Sequence, residues 1–220
     1  MKRHRLSTTP TRDALAKLAI GDIVHLDGVI YTAREGVYKR ALEEGHELPA
    51  DLPAVSAANF HCSPAARVNE DGSFAMGAVT ATASFRFSKW IGAWMEKAGA
   101  RIVIGKGGMA PDDYRRHFVP NGAVYLTTVG YGTGALLGRG VAGVRGIRWR
   151  EELGLAQAMW LIEARDMGPF IVECDLKGES LFERENRRIA ANLERAYEGT
   201  RPAVLKRFGE TDDRTDEVIG

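Results

Sequence analysis

The sequence predicts an α/β fold whose sheet mixes parallel and antiparallel strands. Strand-like apolar runs alternate with segments whose apolar residues recur every three or four positions. Several strand-like runs also follow one another with no helix between them, which a purely parallel, doubly wound sheet does not allow. The 220 residues are 45% hydrophobic and 27% charged, which is typical of a folded globular chain rather than a disordered one.

The predicted elements follow from these two periodicities. Apolar residues at helical spacing predict a short helix after a frayed entry in Leu6–Leu18 and an amphipathic helix in Phe85–Ala98. Helices are also predicted at Arg34–Glu44 and Pro111–His117, and Leu181–Tyr197 is predicted to be a charged helix. Strand-like runs occupy Asp22–Tyr31, Ala54–His61, Arg101–Ile104, Ala123–Val129, Val141–Ile147, Ala158–Ala164 and Phe170–Cys174. No repeat is present at the periods of solenoid proteins.

Turn-forming residues mark the boundaries of these elements. Thr32 is a capping residue for the helix that follows it, and Gly99 ends the helix of Phe85–Ala98. Small, polar and turn-forming residues in Ser63–Gly77 predict a long exposed loop, and Gly130–Gly138 predicts a glycine-rich bend. We expect residues 1–199 to form a single domain and residues 200–220 a loosely ordered tail.

Charge and apolar patterning exclude some classes of function. The formal net charge of +1 provides no basic surplus for a long nucleic-acid contact. Apolar runs such as Leu153–Ile162 are too short and too interrupted to span a bilayer. Met1–Thr11 is basic and polar and does not resemble a secretory leader, so we expect a cytoplasmic protein.

The two cysteines, Cys62 and Cys174, are too few for a disulfide framework and lack the paired spacing of a zinc site. Two thiols are also too few to hold an iron–sulfur cluster within one chain. The five histidines show no metal-ligand spacing, and a structural role for His61 is the better interpretation.

Three segments are candidate anion sites. Gly105–Gly108 reads GKGG after a strand, so that Lys106 offers a positive charge beside backbone amides that a ligand can approach. Arg34 lies at a strand-to-helix junction, where its planar fork suits a carboxylate. Gly77–Arg86 places hydroxyls ahead of an arginine. Each segment also has a structural alternative. GKGG could be a plain turn, Arg34 a solvated side chain, and the hydroxyls of Gly77–Arg86 helix caps at Thr82 or Ser84.

Gly130–Gly134 partly resembles a dinucleotide-binding fingerprint. Glu151 or Glu152 follows at about the sequence spacing of the acidic residue that binds the ribose in that fingerprint. An NAD-binding protein is therefore one alternative function, although no complete second nucleotide-binding half follows this segment.

Six segments, in order, resemble the β subunit of iron–sulfur class I hydro-lyases, which is related to the C-terminal domain of class I fumarate hydratase. The resemblance covers about Leu15 to Phe182. The matching segments are Gly21–Glu35, Leu48–Leu52, Gly105–Gly107, Val129–Leu136, Glu151–Gly154 and Asp175–Phe182.

Two motifs depart from the family pattern. The family's R-D-x-A-H is Arg34–Tyr38 here, without the histidine. Its G-P-T-T-x-x-R-M-D has no clean copy in Gly77–Lys89. Aligning the arginine, which we prefer, places Thr82 and Arg86 on the motif, whereas aligning the glycine places Thr80 on its second threonine.

The resemblance implies a swivelling β/β/α domain with a mixed sheet that closes over a four-iron–four-sulfur cluster held by a separate α subunit. It implies addition or elimination of water on a 2-hydroxy dicarboxylate of the fumarate/malate or tartrate type, in an oligomer. In this interpretation Arg34, Arg86, Gly105, Lys106 and Gly107 bind the substrate. Lys106 is also catalytic, and Thr82, or less favourably Thr80, supplies an acid–base group. A second alternative is a non-catalytic swivelling domain that binds a carboxylate metabolite or a partner.

Overall fold

The computed structural model describes residues 1–130 and 132–198. By its internal contacts the chain divides into two units, Met1–Arg184 and Glu185–Gly220, which are described separately. The single-domain boundary at residue 199 stays a prediction, and the expected tail, residues 200–220, lies outside the described part.

Nine strands lie in the first unit. They are β1 (Arg3–Ser7), β2 (Ile23–Thr32), β3 (Ala58–Phe60), β4 (Cys62–Val68), β5 (Phe74–Ala81), β6 (Ile102–Gly105), β7 (Val124–Thr128), β8 (Val141–Arg148) and β9 (Met159–Cys174).

Most of the helices are short. They are α1 (Arg12–Leu15), α2 (Glu35–Tyr38), α3 (Leu52–Val55), α4 (Ser88–Ala98), α5 (Pro111–Asp113), α6 (Val119–Asn121), α7 (Thr133–Gly138), α8 (Arg150–Gln157) and α9 (Leu181–Tyr197). The π-helical turns Lys39–Glu43 and Tyr114–Phe118 extend α2 and α5, and a 3₁₀ turn over Phe85–Phe87 precedes α4. In the second unit, residues 185–197 form the later part of α9. None of the helices in the described ranges is long and apolar enough to cross a bilayer.

The main sheet is mixed, as predicted, and its pairings close into a ring. β2, β3, β6 and β7 pair in parallel in that order. β9 runs antiparallel to both β7 and β2 and so joins the two ends of this set. β1 adds to the first half of β2, and β8 adds to the first half of β9.

Alternate residues of the ring strands form two separate cores. Leu26, Phe60, Ile104, Leu126 and Phe170 belong to the cluster that fills the inside of the ring. Their neighbours along the strands point outward and pack against α4 in a second cluster, which includes Tyr31, Tyr125, Trp90 and Trp94. The period of two along each strand therefore lets one set of strands bury both faces.

Three local predictions were wrong. Ser63–Gly77 is mostly the hairpin β4–β5 rather than a long loop, and its turn is closed by a backbone bond from the Asn69 N–H to the Ser73 carbonyl. The segment at Leu6 is not a frayed entry to a helix, because Arg3–Ser7 forms strand β1 and pairs with β2. The predicted bend at Gly130–Gly138 contains the short helix α7.

Thr32 does not cap the helix that follows it. Its hydroxyl donates to the carbonyl oxygen of Ala158 at 3.1 Å and accepts from the backbone N–H of Trp160 at 3.0 Å. Arg34 occupies the capping position without a side-chain bond to the helix. The Thr32 hydroxyl therefore ties the end of β2 to the start of β9.

Candidate active site

The candidate residues collect where the parallel strands end. β2 leads into Arg34, β3 into His61 and β6 into Lys106. Because the carboxyl ends of parallel strands meet at one edge of a sheet, these residues share one side of the ring.

Arg34 and Arg86 line one small cleft, although they come from distant parts of the sequence. Glu35, Phe87 and Gln157 complete its lining. The cleft has a volume of about 70 Å³. This is space for about two water-sized groups, which suits the head of a carboxylate.

Helix α8 holds Arg34 in place through its last residues. The Arg34 Nη1 atom donates to the Ala156 carbonyl at 3.3 Å, and the Ser63 hydroxyl donates to the same carbonyl at 3.2 Å. The Gln157 side chain accepts from the backbone N–H of Gly36 at 3.1 Å. The buried Nε of Arg34 has no acceptor in the structure, so the guanidinium keeps unused donor capacity.

The charge of the cleft is mainly positive. Its one carboxylate, Glu35, is 2.6 Å from the ammonium of Lys39. The hydrogen bond from Lys39 lowers the pKa of Glu35 below its usual value, and the nearby charge of Arg86 contributes in the same direction. Glu35 is therefore ionised and already paired, which leaves two guanidinium groups facing the cleft.

The GKGG loop needs its glycines for different reasons. Gly107 and Gly108 have φ angles of 79° and 80°, which favour glycine. A Cβ on Gly105 would lie 2.0 Å from the Ser84 hydroxyl and 2.7 Å from that of Tyr125. Gly107, by contrast, faces open space. The loop thus packs tightly at its start and opens to solvent at Gly107.

Backbone bonds hold Lys106 against the segment that carries Thr82. The Lys106 N–H donates to the Thr82 carbonyl at 3.1 Å, and the Ser84 N–H donates to the Lys106 carbonyl at 3.2 Å. Thr82 is 8% exposed, whereas Lys106 is exposed and its ammonium makes no ion pair within residues 1–130 and 132–198. The segment Thr82–Arg86 therefore begins directly beside the GKGG loop.

Behind this loop is a chain of five fully buried polar side chains, here called the polar chain. Tyr125 donates to the Ser84 hydroxyl at 2.6 Å, and Ser84 Oγ lies 2.7 Å from His61 Nδ1. His61 Nε2 lies 2.5 Å from the Tyr38 hydroxyl, to which the Asn59 amide donates at 2.7 Å. Burial lowers the pKa of His61 to about 3, so its imidazole is neutral. The structural interpretation of His61 is confirmed.

Helix capping does not explain the hydroxyl of Ser84. Ser84 precedes the turn Phe85–Phe87, but its side chain makes no capping bond there and belongs to the polar chain instead. The side chain of Thr80 meets helix α7 rather than the GKGG loop. It is exposed on β5, where its hydroxyl is 3.0 Å from the position that a Cβ on Gly134 would take.

Sequence analysis missed Gln157, Ser63 and most of the polar chain. Tyr38, Asn59 and Tyr125 lie on separate elements, and their spacing along the sequence carries no recognisable motif. The one available signal was the run of polar residues inside otherwise apolar strands, as at Asn59 in β3.

The described residues do not present ligands for a metal cluster. Within residues 1–130 and 132–198, no three His, Cys, Asp or Glu side chains converge on a metal-sized site. Cys62 and Cys174 are both buried and free, and burial raises the pKa of each thiol above its ordinary value. The thiolates that an iron–sulfur cluster needs are therefore not offered here.

The dinucleotide alternative lacks its supporting fold. A nucleotide-binding unit needs a strand, a helix and a second strand parallel to the first. After β7 and α7 the chain enters β8. In the described residues β8 pairs with β9 and not with β7, and β9 runs antiparallel to both, so β7 and β8 do not form the adjacent parallel pair of such a unit. The glycines at 130 and 132, with φ near 80°, form the turn ahead of α7.

Comparison with known proteins gives a consistent result. A family model described as "Fumarase C-terminus" matches residues 1–185. A Methanocaldococcus jannaschii protein provisionally named L(+)-tartrate dehydratase subunit beta is 32% identical over 186 residues, covering 83% of this chain and 93% of that protein. L(+)-tartrate dehydratase subunit beta of Escherichia coli K12 is 29% identical over 190 residues, covering 85% and 90%. A provisionally named class I fumarate hydratase of Geobacillus stearothermophilus is 32% identical over 173 residues, which are 79% of this chain and 32% of that protein.

Proposed function

The chain belongs to the fumarase C-terminus family, and from this membership we propose that it is the β subunit of a hydro-lyase. Its substrate in this proposal is a 2-hydroxy dicarboxylate of the fumarate/malate or tartrate type. The names of the relatives support this class of reaction, and their subunit names support a separate α subunit as the partner.

The observation that carries the proposal is the cleft that Arg34 and Arg86 share. Two guanidinium groups beside a carboxylate that is already paired favour binding of an anion. The cleft holds one carboxylate head and not a whole dicarboxylate. The rest of the substrate would then extend toward Lys106 and toward a surface supplied by the partner.

The remaining candidates have distinct proposed roles. Lys106 places a mobile positive charge near the second carboxylate, and the open backbone at Gly107 lets the substrate approach. Gly105 allows the loop to pack against the segment that carries Thr82. Thr82 is the preferred acid–base group because its backbone is bonded to that of Lys106, whereas Thr80 faces α7.

His61 does not serve as the base that would activate Thr82. It is fully buried, and both of its ring nitrogens contact members of the polar chain. An unassisted threonine is a weak base, so the proposal requires that the partner subunit supply the missing group.

The family relationship also implies an iron–sulfur cluster, which would polarise the leaving hydroxyl group. The residues of this chain do not fit such a cluster. We therefore place it on the α subunit, in a cytoplasmic complex, and assign to this chain the binding of the substrate carboxylates and the acid–base group of Thr82.

Co-expression with a cognate α subunit tests the proposal. The purified complex should hydrate fumarate or dehydrate L(+)-tartrate, whereas this chain alone should do neither. The isolated chain should also remain colourless after anaerobic iron–sulfur reconstitution. A complex that binds dicarboxylates without turnover would favour the non-catalytic domain, and a cluster formed on this chain alone would contradict the proposed division between subunits.

A further inference from the structure

The polar chain is unusual because it places five polar side chains where apolar packing would suffice. Tyr38, Asn59, His61, Ser84 and Tyr125 are all 0% exposed. Buried polar groups stabilise a fold little compared with apolar residues of the same shape, but a hydrogen-bonded network selects one arrangement of its members. In this network Asn59 Oδ1 is buried without a hydrogen-bond partner. This cost indicates a role in geometry rather than in overall stability.

The bonds of the chain converge on Ser84. We assign the ring proton of His61 to Nδ1, because Nε2 faces the amide nitrogen of Asn59 at 3.2 Å and the Tyr38 hydroxyl at 2.5 Å and accepts in this arrangement. Nδ1–H then donates to Ser84 Oγ, which also accepts from Tyr125. Because the pKa of His61 is low, this arrangement persists at neutral pH without a buried charge.

Ser84 in turn fixes two segments of the candidate site. Its backbone N–H donates to the Lys106 carbonyl, and Gly105 packs against its side chain. The neighbouring bond from the Lys106 N–H to the Thr82 carbonyl belongs to the same short ladder. A shift of Ser84 would therefore move both the GKGG loop and the segment that leads to Arg86.

We propose that the polar chain is a positioning device, which holds Thr82 and Arg86 in register with Lys106 through the hydroxyl of Ser84. Its members are positioning residues and do not touch the substrate. The catalytic consequence rests on the proposed hydro-lyase function, whereas the structural consequence does not.

The structure offers a matched pair of substitutions for the test. Tyr125→Phe removes a hydroxyl that donates to Ser84. Tyr31→Phe removes a hydroxyl from an equally buried tyrosine on a ring strand, but that hydroxyl makes no hydrogen bond to a member of the polar chain. Ser84→Ala is a second variant, which removes the centre of the chain and leaves Tyr125 in place.

Hydrogen exchange of the full chain reports the effect without any activity assay. Tyr125→Phe should speed exchange of the Lys106 and Ser84 amides about fivefold to tenfold, the equivalent of one lost hydrogen bond. The Val103 amide in β6 should keep its wild-type rate, which separates a local change from global destabilisation. Tyr31→Phe should leave all three amides unchanged.

In the active complex, Tyr125→Phe should lower kcat about tenfold or more with a smaller change in KM, because misplaced groups mainly affect the transition state. If both Tyr125→Phe and Ser84→Ala match Tyr31→Phe in exchange at Lys106, the positioning role is wrong. If exchange changes as expected but no complex turns over any dicarboxylate, the polar chain still positions the loop and only the proposed function fails.

Discussion

Gly105 offers a sharp test of the packing behind the GKGG loop. In Gly105→Ala the new Cβ would lie 2.0 Å from Ser84 Oγ, 2.7 Å from the Tyr125 hydroxyl and 3.3 Å from the Thr82 carbonyl oxygen. Carbon and oxygen cannot approach to 2.0 Å, so Ser84 must rotate away from both of its partners. Overpacking costs about 1–3 kcal/mol. Loss of two hydrogen bonds adds about 1–3 kcal/mol.

The expected loss of about 2–6 kcal/mol lowers the thermal midpoint by about 5–20 °C in a chain of this size. Gly107→Ala is the matched control, because that position faces open space and suffers only from its φ of 79°. Such strain costs about 1–2 kcal/mol. Differential scanning calorimetry of both variants measures the contrast. A midpoint for Gly105→Ala no lower than that for Gly107→Ala would contradict the tight packing of Gly105 against Ser84 and Tyr125.

Three further outcomes follow from the charges of the site. Lys106→Met should reduce kcat/KM of the reconstituted complex about a hundredfold, and it should hardly change the thermal midpoint because an exposed ammonium contributes little to folding. Full turnover in this variant would show that Lys106 has no catalytic role and that GKGG is only a turn. Arg34→Met combined with Arg86→Met should lose less binding energy than the sum of the single losses, as measured by calorimetric titration with a dicarboxylate; additive losses would place the two arginines in separate sites. Burial holds the pKa of His61 at about 3, against about 6.5 for an exposed histidine. Between those values the unfolded chain binds one more proton than the folded chain, so stability falls as the pH is lowered from about 6.5. The free energy of unfolding of His61→Gln, followed by urea denaturation from pH 7 to pH 4, should decline less steeply than that of the wild type, and equal slopes would contradict the neutral, buried imidazole.

The sequence predicted the regular parts of the fold well. α4 was predicted from the spacing of Trp90, Ile91, Trp94 and Met95, and Gly99 ends it in the left-handed conformation with φ 67°. The predicted bounds of the last helix, Leu181–Tyr197, agree with those of α9. Periodicity succeeds in α4 because this helix buries one apolar face.

The hairpin β4–β5 was missed for a physical reason. It projects from the ring as a separate two-stranded sheet, and its strands are only partly buried, so alternation between apolar and polar residues is weak there. Closure of the ring could not be predicted from the sequence either, because the pairing of β2 with β9 joins distant segments and leaves no local signal.

The candidate site shows the same division between local and distant information. Glycine and lysine in GKGG, and arginine after β2, were recognisable because each motif is local. The support behind them was not recognisable, because Tyr38, Ser84 and Tyr125 come together only after the sheet has formed. Whether Arg34, Arg86 and Lys106 hold a substrate stays a prediction.

Closure of the ring by β9 has a consequence for how the protein is made. Val29 in β2 pairs with Glu163 in β9, so this pairing waits until most of the chain has left the ribosome. Contacts between such distant residues slow folding, and until β9 arrives β2 and β7 each keep an unpaired edge. A nascent chain that stalls before residue 159 would therefore expose two strand edges of the unfinished barrel. Unpaired strand edges can pair with other chains, so we expect nascent chains that stop short of β9 to aggregate.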